Sequence, residues 1–281
     1  MNEFLLRLED LVNNPTARVP VCLCLDTSGT MGRVIGGEVK DTGRTEFRDG
    51  QMWNIVTGGI SALDELMDGV KIFYDAIRED EVAMYSAEIC VITFGGNAPC
   101  LIEDFANIER QPNSPKFNAD GDTPMGEAVN LALDCLEKRK QEYKDKGVDY
   151  YQPWLVLMTD GVPNGSSQEL DRAITRTVDM VKAKKLTIFP IGIGNDADMS
   201  VLAQFSPNRS PLKLKGMNFR EFFQWLSQSI SRTSQSLPAK MYLLTSRALR
   251  GGQSFNFIEN STKYVSWHCK KYYLIKICHP K

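Results

Sequence analysis

Val19-Pro20-Val21-Cys22-Leu23-Cys24-Leu25-Asp26-Thr27-Ser28-Gly29-Thr30 decides how the rest of the chain is read. Its first seven residues form a short apolar run, the signature of a strand buried on both faces. The residues that follow put an acid and hydroxyls at alternate positions on the loop at the strand's end. Side chains at such strand ends converge in the crevice of an open α/β sheet, where ligands usually bind. Oxygen donors spaced in this way suit a hard divalent cation such as Mg²⁺ better than zinc.

Two later segments supply matching parts. Thr123 lies in Asp120-Gly121-Asp122-Thr123-Pro124-Met125-Gly126-Glu127-Ala128, just ahead of a predicted helix. Asp160 lies in Met158-Thr159-Asp160-Gly161, directly after the apolar run Trp154-Leu155-Val156-Leu157. The three loops together outline an oxygen-lined pocket.

The remaining elements follow from periodicity and turn chemistry. Strands are expected at Arg18–Leu25, Ala87–Phe94, Pro99–Asp104 (a shorter edge strand) and Leu186–Gly194. Helices are expected after Gly58-Gly59 through about Ile77, at Pro124–Lys144 with Pro124 in its first turn, at Gln168–Lys184, and at Phe219–Ser236. Arg44–Phe47 and Gln51–Val56 flank Arg48-Asp49-Gly50 and predict a β-hairpin turning at Asp-Gly. Short apolar strands alternating with helices give an α/β fold: a doubly wound, mainly parallel sheet with helices on both faces. The domain is expected over residues 18–237, with an amphipathic helix at 1–17, the hairpin insertion at 32–59 and a basic, aromatic tail at 238–281. Three short strands are expected in that tail, at Phe255–Ile258, Lys263–Trp267 and Tyr272–Ile277.

Composition narrows the chemistry. The formal charge of −2 gives no reason for nucleic-acid binding by the whole chain. From Lys240 onward, however, eight Lys or Arg stand against the single Glu259, so that the tail is the one candidate surface for RNA or an acidic partner. The start of the chain lacks the basic lead and unbroken apolar core of a signal peptide, and no stretch is apolar enough to span a membrane. Seven cysteines without framework spacing read as reduced, buried thiols, and a cytoplasmic location is expected. Both histidines, His268 and His279, lie in the tail. The acidic loops therefore have no histidine for a Ser-His-Asp system or for zinc.

These residues resemble the metal-ion-dependent adhesion site of the von Willebrand factor A family: Asp-x-Ser-x-Ser/Thr, a distant Thr and a distant Asp. The resemblance runs from Arg18 to about Ser236. A closer similarity is to the bacterial tellurium-resistance-associated, TerY-like group, carried by Pro20–Gly29, Thr123–Val129 and Trp154–Gly161. The insertion after Met31 and the tail after Leu237 depart from that group. The resemblance implies a non-enzymatic, metal-dependent protein-interaction module. Asp26, Ser28, Thr30, Thr123 and Asp160 would hold Mg²⁺ (or Mn²⁺ or Ca²⁺), and a partner's Asp or Glu would enter an open position. The rim that chooses the partner is expected at Met31, Gly32, Asp122, Val162 and Asn164, with the hairpin as a wall or lid. The implied setting is a bacterial stress-response, tellurium-resistance or defence system. There the partners would be a protein kinase and a metal-dependent serine/threonine phosphatase, or an AAA-type ATPase served as an accessory subunit.

Three other readings compete. Gly192-Ile193-Gly194-Asn195-Asp196-Ala197 mimics a dinucleotide fingerprint, but no acid follows at the ribose-binding distance. A haloacid-dehalogenase-like phosphohydrolase would use Asp26 as nucleophile, yet Ser28 replaces the aspartate that should act as acid/base. His268-Cys269 and Cys278-His279 suggest a zinc knuckle, but adjacent ligands are unlike the usual spacings.

Overall fold

The structure, a computed structural model, describes Leu11, residues 13–48, 51–214 and 219–235, and the pair Ile277–Cys278. The expected N-terminal helix lies outside the described residues except at its last turn. So do nearly all of the tail with its predicted strands, and both His-Cys pairs but for Cys278.

Strand β1, Val19–Asp26, is buried along its whole length because both of its faces are covered. Val21, Leu23 and Leu25 face one apolar layer, while the smaller Cys22 and Cys24 face the other. The first layer is closed by helix α1 (Ala62–Glu79) and by the last helix, Phe219–Ser234. A short helix, α2 (Ala83–Ser86), leads into β4 (Ala87–Gly95). The second layer is closed by α3 (Met125–Lys146) and α4 (Ser167–Lys182).

Beside β1 and β4 the sheet contains β5 (Ala98–Asn107), β7 (Trp154–Thr159), β8 (Thr187–Ile193) and β9 (Leu212–Leu214). Their order is β5-β4-β1-β7-β8-β9. Every pairing is parallel except β4 with β5. From β1 the chain crosses to β4 on one side, and from β7 it crosses to β8 on the other. The order therefore reverses between β1 and β7, and the crevice at their C-terminal ends is where an open α/β sheet presents its ligand site. Asp26 ends β1, and Asp160 directly follows β7. The six-residue α5 (Met199–Gln204) comes after β8, and the last helix is α6. A small pairing joins β6 (Tyr150–Tyr151) to β10 (Ile277–Cys278).

Several boundaries differ from the sequence reading. The hairpin is longer: β2 (Val34–Arg48) pairs with β3 (Gln51–Ser61) from Val34↔Ser61 to Arg48↔Gln51, with register shifts along it. Its expected turn at Asp49-Gly50 falls outside the described residues. Gly58, Gly59 and Ile60 lie in β3 rather than leading into a helix. Helix α1 starts only at Ala62, because Ser61 and Asp64 form a capping box there: Asp64 N–H donates to the Ser61 hydroxyl at 3.0 Å and Ser61 N–H to the Asp64 carboxylate at 2.9 Å. The edge strand β5 is ten residues, longer than the predicted piece. Pro124 caps α3 from outside instead of occupying its first turn.

At the N-terminal end of the sheet, opposite the crevice, Glu88 is fully buried among Arg18, Arg139 and Tyr143. Arg18 Nε donates to Oε1 at 3.1 Å, and Arg139 Nε and the Tyr143 hydroxyl donate to Oε2 at 2.7 and 2.6 Å.

Candidate functional site

Asp26 is buried at the end of β1, and both of its carboxylate oxygens are engaged. Oδ1 accepts from Ser28 N–H at 2.8 Å and Oδ2 from the Thr159 hydroxyl at 2.5 Å. Ser28 Oγ and Thr30 Oγ1 are 3.1 Å apart, and the Thr30 hydroxyl donates to Asp160 Oδ1 at 2.7 Å. A Cβ placed on Gly161 would lie 3.8 Å from Thr123 Oγ1 and 3.9 Å from Thr30 Oγ1, so both hydroxyls flank the turn after β7. The fold thus brings Asp26, Ser28, Thr30, Thr123 and Asp160 to one place.

The electrostatics of the cluster are uphill. Burial, and then the like charge of Asp160, push the Asp26 carboxyl up to about 6 despite hydrogen bonds from Ser28 and Thr159. Burial also raises Asp160, with Asp196 adding to the rise while Thr30 and Arg33 oppose it. Two carboxylates at close quarters with hydroxyl oxygens fit a hard cation held by oxygen. Among the described residues no three His, Cys, Asp or Glu side chains cluster as metal ligands, so hydroxyls must complete any such donor set.

The walls around the cluster are tied together. Asn164 receives Thr123 N–H on Oδ1 at 2.6 Å and donates through Nδ2 to Asp122 at 3.0 Å. It staples the loop before α3 to the loop after β7. Glu127 accepts from Ser166 N–H at 2.8 Å across the same gap. Arg33, at the root of the hairpin, pairs with Asp196 and lies 6.0 Å from the centre of the Trp53 ring.

Of the expected rim, Gly32, Asp122, Val162 and Asn164 are exposed, and Val162 is 59% so. Met31 is not on the rim. It is fully buried in the core beneath the hairpin root, because the short 3-10 turn Gly29–Gly32 directs this long apolar side chain inward. Sequence reasoning also missed Thr159, Arg33 and Asp196. Thr159 sits in the quoted Met158–Gly161 segment next to Asp160, so a hydroxyl at the strand's last position was a usable signal. Nothing local announces the Arg33–Asp196 pair, whose members are far apart in the chain.

The glycines of the dinucleotide-like segment serve a tight turn. Gly194 has a φ of 71°, and a Cβ on Gly192 would lie 2.4 Å from Met199 Sδ. The phosphohydrolase reading lacks its second carboxylate: Ser28 stands at the acid/base position, 3.1 Å from the Thr30 hydroxyl.

The model of the von Willebrand factor type A domain matches residues 82–223. The chain belongs to that family. The match begins after the Asp26–Thr30 loop, which is placed beside Asp160 by the sheet order described above. No match was found among curated proteins. Solved structures agree on the fold. A pilus adhesin, SpaC from Lactobacillus rhamnosus GG, is 13% identical with a TM-score of 0.53, covering 77% of this chain and 31% of that one. The vWF domain of the type V pili tip protein Mfa5 from Porphyromonas gingivalis is 11% identical with a TM-score of 0.52, covering 80% and 98%. Proximal thread matrix protein 1 from the mussel byssus is 14% identical with a TM-score of 0.49, and this chain spans 48% of its length. Type A domains are a fold of protein interaction and adhesion, typically without catalysis, and often carry a divalent metal. Among the described residues, no helix is long and apolar enough to cross a membrane.

Proposed function

We propose that this chain is a metal-dependent protein-interaction module without catalysis of its own. The observation that carries the reading is the single hydrogen-bonded cluster of Asp26, Ser28, Thr30 and Asp160 with the Thr123 hydroxyl beside it. Both carboxylates are destabilised as anions in it, and a cation would relieve that cost. Asp26 and Asp160 supply the negative charge; Ser28, Thr30 and Thr123 supply neutral oxygens. Bound Mg²⁺ (or Mn²⁺ or Ca²⁺) would offer an exchangeable position to a partner's Asp or Glu.

The rest of the site orients and selects. Thr159 and Ser28 N–H fix the Asp26 carboxylate, and Asn164 holds the Thr123 loop against the loop after β7. Gly32, Asp122, Val162 and the hairpin form the rim that admits or rejects a partner. We assign the setting, by resemblance, to a cytoplasmic bacterial stress or tellurium-resistance system with a kinase and a phosphatase as partners. An AAA-type ATPase is the alternative partner.

Partner capture from host lysate tests this, using wild type in Mg²⁺, wild type in EDTA, and Asp26→Ala in Mg²⁺. A protein retained only by metal-loaded wild type is expected. Equal capture in all three would exclude metal-bridged binding.

A further inference from the structure

Among the described sheets, every edge but one is blunted. β5 carries Pro99 and takes the extra residue at both of its register shifts against β4. β6, β9 and β10 are only two or three residues long. In the hairpin the extra residues at all three register shifts fall in β2, which also exposes Glu38, Lys40, Asp41, Arg44 and Glu46. Bulges, charges, proline and short length are the devices that stop an edge strand from pairing with another chain. β3 has none of them: its eleven residues hold no charge and no proline, and β2 is its one neighbour among the described strands.

Met52-Trp53-Asn54-Ile55-Val56-Thr57 is a neutral run rich in strand-forming residues, and Met52 is 64% exposed. Such a run on an open edge aggregates unless something specific covers it. Gly58 and Gly59, with φ of 78° and 82°, end the regular edge, which leaves residues 51–57 as the seam. The occupant must be neutral as well, since a charged side chain in the seam would face Ile55 or Val56 with nothing to balance it. β3 itself meets that need. β7 and β8, equally uncharged, are buried in the main sheet.

We propose that β3 pairs antiparallel with β3 of a second copy of this chain, about a two-fold axis at Asn54. The product is a four-stranded ribbon in the order β2-β3-β3-β2, an isologous contact that closes on itself. This register sets Trp53 against Ile55 of the second copy and Met52 against Val56 of the second copy, each pair occurring twice. Aromatic with β-branched and apolar pairs of this kind are what hold neighbouring strands together. The exposed Asn54 meets its counterpart across the axis, amide to amide. Arg33, tied to Asp196, lies 6.0 Å from the centre of the Trp53 ring and steadies the ribbon from the face opposite Met52. The hairpin follows directly on the Gly29–Gly32 turn, so the pairing joins two crevices in one assembly.

The test is sedimentation equilibrium of the full chain in EDTA, which makes the outcome independent of the metal reading. Wild type should be a dimer at about 100 μM, since even a small interface supports micromolar affinity. Asn54→Lys and Asn54→Asp each place like charges directly opposite one another at the axis and should weaken the dimer about tenfold or more. An equimolar mixture of the two variants sets Lys against Asp and should restore the dimer, which separates a lost contact from a lost fold. A wild type that stays monomeric at about 100 μM would overturn the proposal and leave the edge to a segment of another protein. Variants that dimerise as tightly as wild type would also overturn it, as would a mixture that stays monomeric.

Discussion

Asp26 carries a conflict between stability and binding. Its folded pKa of about 6 lies above the unfolded value of about 3.9. Between those pH values the native state holds more protons than the unfolded one, so this group's contribution falls as pH rises through the window. By pH 7 the metal-free protein has lost up to about 3 kcal/mol, at about 1.4 kcal/mol per unit. Asp26→Asn removes the charge yet keeps an oxygen for Ser28 N–H and an amide that can donate to Thr159. In EDTA at pH 7.5 this variant should melt above wild type, and the gap should close as pH falls below about 4. Added Mg²⁺ should raise the melting temperature of wild type alone. A variant that melts lower than wild type in EDTA would contradict the picture.

At the scale of elements, the glycine of Thr123-Pro124-Met125-Gly126 fixes where α3 meets α4. A Cβ on Gly126 would lie 2.4 Å from Leu170 N and 2.5 Å from its Cα, both backbone atoms that cannot swing aside. Gly126→Ala should therefore force the helix ends apart, costing about 1–3 kcal/mol by chemical denaturation, and weaken metal affinity through the displaced Thr123. Unchanged stability would mean the helices can part freely. Elements of this kind were legible where periodicity and topology agree: β1, β4, β7, β8 and the four long helices stand close to their predicted places. The misreadings have local causes. Gly58-Gly59 resembles a break before a helix, but the capping pair Ser61–Asp64 outcompetes it. Met31 follows the Asp26–Thr30 loop in sequence, yet a 3-10 turn sends it into the core. Asp26, Ser28, Thr30 and Asp160 were readable because each ends or closely follows a strand, and Thr123 because it stands just ahead of a helix. Arg33–Asp196 and Asn164–Thr123 were not, because they depend on how loops from different strands meet.

At the scale of the whole molecule, the two ends of the sheet are built differently. The C-terminal end crowds Asp26 and Asp160, both raised by burial, whereas the N-terminal end buries Glu88 already neutralised. Burial alone would raise the Glu88 pKa, but the charge and hydrogen bond of Arg139, then Tyr143 and Arg18, outweigh it and hold the carboxyl below its usual range. A depressed folded pKa contributes stability above the unfolded value, near 4.3, that is lost as pH falls through the folded one. Glu88→Gln should thus destabilise at neutral pH and flatten the acid limb of the unfolding curve. Leaving two buried guanidinium groups less compensated should cost about 3–5 kcal/mol. An unaltered acid limb would remove Glu88 as its source.

Mn²⁺ titration followed by electron paramagnetic resonance decides whether the crevice between β1 and β7 holds a divalent cation. Saturable binding at one site per chain is expected, displaced by Mg²⁺ and abolished in folded Asp26→Ala and Asp160→Ala. Mn²⁺ that stays free with wild type, or binds both variants as tightly, would contradict it.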